Sequence, residues 1–143
     1  MGRIEKSIEI RAPPEKVWEM LAFDRHSEWM EGYKSVEYAS EVRKPKDKYK
    51  VGTSAHITEH LKYDFEITES LKNEKITFRS NKFNMIKSYT LKTTETGTKV
   101  AVVFNYTSPY SILGKIVDKS FGQRIAEKGE EKSLKNLKTI LEK

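Results

Sequence analysis

Residues 63–80, "YDFEITESLKNEKITFRS", decide how the chain folds. Tyr63, Phe65 and Ile67 alternate with Asp64, Glu66 and Thr68, and Ile76 and Phe78 alternate with Thr77 and Arg79. A period of two places all the apolar side chains on one face of a strand. Between the two runs, Asn73 and Glu74 are turn residues, so the stretch predicts an antiparallel hairpin with a dry face and a wet face.

The same period extends outward in both directions. It predicts strands near Tyr33–Glu41, Val51–His60, Tyr63–Lys72, Lys75–Ser80, Phe83–Glu95 and Thr98–Ser108, separated by turns at Pro45–Lys48, Asn73–Glu74, Asn81 and Thr96–Gly97. A further strand spans Arg3 to Arg11, where Ile4, Ile8 and Ile10 share a parity with Lys6. Pro13 and Pro14 end it and open a short helix carrying Val17, Trp18 and Leu21 at helical spacing, to about Phe23. A second short helix is expected in "DRHSEWMEG", capped by Asp24 and ended by Gly32, with Trp29 and Met30 on its buried side. From Ser111 onward only glycine opposes a helix, and about 30 helical residues span about 45 Å, enough to cross a domain. Within that helix "AEKGEEKS" contains only Ala126 as an apolar residue, which calls for a bend near Gly122 and Gly129 or for two halves with different partners.

A chain of 143 residues suits one domain, 1–143. With 36% apolar and 34% charged residues, and aromatic and β-branched side chains spread throughout, it has the means to build a core. The absence of cysteine excludes disulfides, thiolate metal sites and a cysteine nucleophile. No apolar run is long enough to span a bilayer and residues 1–11 do not read as a secretory signal, so no integral membrane segment and a cytoplasmic location are expected. The net charge of +6 raises the question of nucleic acid. The lysines are scattered, however, and the cluster Arg43, Lys44, Lys46, Lys48 and Lys50 is broken by Pro45 and Asp47, as a solvated loop would be. No nucleic-acid partner is expected.

The order of strand, two short helices, six-strand meander and long helix resembles the helix-grip superfamily of START-domain and birch-pollen-allergen type proteins, often called SRPBCC. "IEIRAPPEKVWEML" resembles the family's opening strand and helix, "RHSEWMEG" its second helix, and "VGT" at 51–53 the start of its third strand. "EITESLKNEKITFRS" and "GKIVDKSFGQRIAEKGEEKSLKNLKTILE" resemble its mid-sheet hairpin and closing helix. The likeness covers nearly the whole chain and is nearest to the polyketide cyclase/dehydrase and lipid transport branch. It implies an α+β fold with a curved seven-stranded antiparallel sheet, two short helices after the first strand and a long C-terminal helix. It also implies a cavity between sheet and helix that holds a hydrophobic small molecule, with no fixed catalytic set; no metal or cofactor is expected. Ala55, Ile57, Phe65, Ile67, Phe78, Tyr89, Val102 and Phe104 on the inward strand parity, with Trp29 of the second short helix and Val117 and Phe121 on one line of the last helix, would line that cavity and bind the ligand.

Polar candidates are fewer. His56 and His60 sit on a predicted strand, where four residues separate their rings by about 13 Å, too far for one metal ion. His26 could stand at the cavity mouth as an acid or base, although an exposed helix histidine is the plainer expectation. Glu59, Glu69 and Lys87 share the inward parity and could act as acid, base or ligand anchor, and Tyr63, Tyr89 and Tyr106 could offer hydroxyls. A cyclase or dehydratase reading would use Glu69, Lys87 or Tyr89 to move a proton.

Overall fold

A computed structural model describes residues 2–30, 33–38, 48–53, 61–81, 84–107 and 119–143. Among these residues seven strands form one antiparallel sheet: β1 (Gly2–Ile10), β2 (Tyr33–Tyr38), β3 (Lys48–Thr53), β4 (Leu61–Leu71), β5 (Lys75–Ser80), β6 (Met85–Thr93) and β7 (Thr98–Tyr106). Their spatial order is β1-β7-β6-β5-β4-β3-β2. Consecutive strands from β2 to β7 are therefore neighbours, while β1 closes back on β7, with Ile4 opposite Phe104 and Ile8 opposite Val100. β1 and β2 occupy opposite edges. The helix α1 (Pro14–Met20) and a 3-10 helix (Phe23–Glu28) lie between them in sequence, and α2 (Lys119–Leu141) follows the sheet.

Pro14 opens α1, where its missing N–H leaves no bond unmade. The 3-10 helix begins at Phe23 with Ala22 at its N-cap, so Asp24 lies inside it rather than capping it. Trp29 and Met30 are buried just beyond its end, as the sequence predicts. The third strand runs from Lys48 to Thr53, earlier than the pattern suggests, and 54–60 lie outside the described residues. The β4–β5 turn falls on Lys72 to Glu74, closed by the Glu74 N–H donating to the Leu71 carbonyl at 2.9 Å, with Asn73 at φ 64°. Asparagine tolerates this left-handed conformation better than most residues.

Alternating side chains of β4 to β7 form the core. Phe65, Ile67, Ile76, Phe78, Met85, Tyr89, Leu91, Val100, Val102 and Tyr106 are buried, and Phe104 is half-buried against them. Full burial of such a side chain contributes about 1.5–3 kcal/mol. From the other side come Val17, Trp18, Met20 and Leu21 of the α1 region, Trp29 and Met30, and Leu134 and Leu137 of α2.

α2 is one continuous helix through Gly122 and Gly129, and it runs along β1. Near its start, Gln123 donates from Nε2 to the Arg3 carbonyl and accepts from the Tyr106 hydroxyl; near its end, the Lys138 ammonium donates to the Glu9 carbonyl. Lys6, midway along β1, pairs with Glu131 at 2.8 Å. No helix among the described residues is long and apolar enough to cross a membrane.

One irregularity reverses the sequence reading of β4. Ile67 faces Phe78 and Glu69 faces Thr77, so Thr68 is an extra residue in the ladder. An inserted residue turns everything after it to the opposite face. Glu69 therefore shares the outer face with Thr77 and pairs there with Lys75 at 3.3 Å, and Leu71 is left 48% exposed. The inward position expected for Glu69 is corrected by this bulge.

Candidate functional site

Seven of the residues expected to line a cavity have described side chains, and all lie on the dry side of the sheet. Trp29, Phe65, Ile67, Phe78, Tyr89 and Val102 are buried and Phe104 half-buried. Ala55, Ile57 and Val117 lie outside the described residues, and Phe121 is placed only by its backbone, in the first turn of α2. Glu59, His56 and His60 also lie outside the described residues.

Trp29, Phe78 and Tyr89 meet in one aromatic cluster together with His26. Ring centroids are 5.7 Å apart for Trp29–Tyr89, 6.3 Å for Phe78–Tyr89 and 5.1 Å for His26–Phe78, all edge to face. Such geometry adds about 0.5–1.5 kcal/mol per pair beyond burial. Trp29 is fixed by its indole N–H donating to the Met20 carbonyl at 2.8 Å. His26 is completely buried, not exposed as expected of a helix histidine, and its Nε2 lies 2.8 Å from the Leu21 carbonyl. A carbonyl can only accept, so Nε2 carries the proton. The 3-10 turn explains the correction: at three residues per turn Arg25 and Glu28 stack on its exposed face, where they pair at 2.7 Å, and His26, a third of a turn away, is directed inward beside Trp29.

Beyond this cluster the dry face carries a pair of charges. Lys87 on β6 pairs with Glu130 on α2 at 2.7 Å, and both side chains are more than nine-tenths buried. The ammonium also stands 4.7 Å from the centre of the Phe104 ring, the residue opposite it on β7. A cation at that distance is attracted to the ring face. Phe78 is opposite Lys87 on the other flank, so the lysine rises between two aromatic positions. Glu130 Oε1 accepts from Lys87, whereas Oε2 is shielded from water and accepts no hydrogen bond from the described residues. A buried acceptor left unmatched costs about 1–3 kcal/mol, so its presence asks for an explanation.

Inward parity identified Lys87. It could not identify Glu130, which lies in the polar stretch "AEKGEEKS" in the middle of the helix. The signal was present in part: a helix crossing a dry sheet with "EKGEEK" at its centre must turn some charged residue inward, and an inward lysine on the sheet supplies its partner. Among the described residues, no three His, Cys, Asp or Glu side chains gather as a metal site would need.

Comparison with known proteins agrees with this architecture. The family described as Polyketide cyclase / dehydrase and lipid transport matches residues 1–142. No functionally curated protein matches the chain. Among solved structures, TTHA0849 from Thermus thermophilus superposes with a TM-score of 0.80 at 18% identity, over 96% of this chain and 95% of its own. Protein NE0264 from Nitrosomonas europaea gives 0.75 at 12% identity, over 97% and 93%. The Aha1 dimer from Colwellia psychrerythraea gives 0.70 at 19% identity, over 99% and 97%. At such identities the likeness is one of fold, the helix-grip arrangement.

Proposed function

Since the chain belongs to the SRPBCC-type polyketide cyclase/dehydrase and lipid transport family, we propose that it binds a hydrophobic small molecule, lipid or polyketide-like, between the sheet and α2. The observation that carries this reading is the chemistry of the dry face. Strands β4 to β7 turn apolar and aromatic side chains toward α2, and the only carboxylate and ammonium groups buried among the described residues are those of Glu130 and Lys87. A concave apolar site with few convergent polar groups is the usual form of a small-molecule pocket. Covering a few hundred Å² of ligand at about 25 cal/mol per Å² offsets ordinary binding costs. Trp29, Phe65, Ile67, Phe78, Tyr89, Val102 and Phe104, with Ala55, Ile57, Val117 and Phe121, are the proposed contacts.

A cyclase or dehydratase activity in the same place has less support. Its acid, Glu69, stands on the outer face beside Lys75, which leaves Lys87, Glu130 and Tyr89 to move a proton. Binding is therefore the preferred function, as a carrier or receptor of the ligand.

Native mass spectrometry of the freshly purified protein, followed by solvent extraction, tests the proposal. A co-purifying apolar molecule, or saturable binding of a fluorescent hydrophobic probe that long-chain lipids displace, is the expected result. Protein that carries no small molecule and binds no such probe would overturn it.

A further inference from the structure

The Lys87–Glu130 pair suggests the chemistry of the ligand's polar end. The ammonium is already matched by Glu130 Oε1 and the Phe104 ring, and the acceptor left over is Glu130 Oε2. Gly129 stands next to Glu130 on the helix, on the flank opposite Glu131, about 160° away around the axis. Glu131 reaches Lys6 on β1, so the Gly129 flank is turned away from that edge. Asn136, two turns further along the same flank, donates to the Trp29 carbonyl, which places this flank toward the aromatic cluster. No atom of the described residues lies within 4 Å of where a Cβ on Gly129 would stand. There is room beside Glu130 on the side where the proposed ligand would lie.

We propose that Glu130, oriented by Lys87, anchors the ligand by accepting a hydrogen bond from a neutral hydroxyl, so that the preferred ligands are amphipathic alcohols or phenols. This inference rests on the hydrophobic-ligand reading above. A carboxylate or phosphate head would bring more lone pairs to an oxygen that accepts, and would set a second negative charge beside the Glu130 carboxylate in a dry site. An amine head would set a second cation close to Lys87. A hydroxyl supplies the missing donor and adds no charge to a dry site, and hydrogen bonds to a charged acceptor are the stronger kind.

The test compares three probes of equal chain length, a long-chain primary alcohol, its methyl ether and the matching carboxylic acid, by calorimetry on the purified protein. Wild type is expected to bind the alcohol about tenfold or more tightly than the ether or the acid. In the double variant Lys87→Met/Glu130→Leu that preference should vanish while ether binding persists. A second measurement needs no variant: the carbon-13 resonance of the Glu130 carboxyl should move on adding the alcohol and stay in place with the ether. Ether or acid binding as tight as the alcohol, or a carboxyl resonance that ignores the alcohol, would overturn the anchor and leave the apolar site standing. Failure of all three probes to bind wild type would overturn both.

Discussion

The Thr96 hydroxyl donates to the Glu9 carboxylate at 2.7 Å, joining the β6–β7 turn to β1. Thr94 donates to the same oxygen at 2.8 Å. These two bonds, with smaller help from Lys138 and Arg11, hold the Glu9 carboxyl below its ordinary value of 4.5. A carboxylate depressed in the folded state contributes stability that is complete above its unfolded value and is lost as pH falls through the folded one. Glu131, held low by Lys6, and Glu142, held low by Lys138, act in the same direction. Urea unfolding should therefore show stability falling below about pH 4.5, with a shallower fall in Glu9→Gln. Equal slopes in the two proteins would refute the assignment to Glu9.

Two glycines should respond to alanine in opposite ways. A Cβ on Gly97 would overlap the Ile10 carbonyl oxygen and come 2.9 Å from the Arg11 Cα, both of them backbone atoms that must move together with the turn. Gly97→Ala is expected to lower the melting temperature by about 5 °C or more. Gly129 is helical with open space around it, so Gly129→Ala should stabilise by about 0.5–1 kcal/mol. Thermal unfolding of both variants decides the matter, and a stabilising Gly97→Ala would be inconsistent with the close approach of turn and strand.

Trp29→Phe should cost about 2 kcal/mol, because it removes ring volume from a fully packed position and strands the buried Met20 carbonyl. Denaturant titration followed by circular dichroism measures this. A loss under about 0.5 kcal/mol would show that water or repacking serves that carbonyl equally well.

The ion pair under α2 allows a test by double-mutant cycle. Lys87→Met alone leaves an uncompensated carboxylate in a dry site and should cost about 3–5 kcal/mol. Replacing both, as Lys87→Met/Glu130→Leu, should restore most of that, since a buried pair and apolar groups of similar volume are often equivalent. A double variant no more stable than the single one would mean that Glu130 is not the group Lys87 neutralises.

The sheet was legible because each strand has one dry face, and two-residue alternation records that directly. Phe65, Ile67, Phe78, Tyr89 and Val102 follow from parity alone, as does Lys87. Parity failed where geometry inserted a residue without a chemical marker: Thr68 is an ordinary strand residue, yet the bulge there turned Glu69 outward and exposed Leu71. His26 was misjudged because the 3-10 turn stacks Arg25 and Glu28 on its wet face and turns His26 to the dry one, and a single turn is too short for the sequence to display that period of three. Glu130 was missed because burial of a charge depends on a partner from a distant element, and a sequence does not display the neighbours that folding brings together.

The pairing of β1 with β7 has a bearing on how the molecule assembles. Among the described residues β1 has β7 as its sheet neighbour, and β7 is made only after the five strands β2 to β6; α2, which lies along β1 as well, comes later still. Until then Ile4, Ile8 and Ile10 travel unshielded, and contacts between residues so widely separated form slowly. A nascent chain stalled before Thr98 should accordingly be protease-sensitive and bound by chaperones, and release of the final segment should complete folding in one cooperative step.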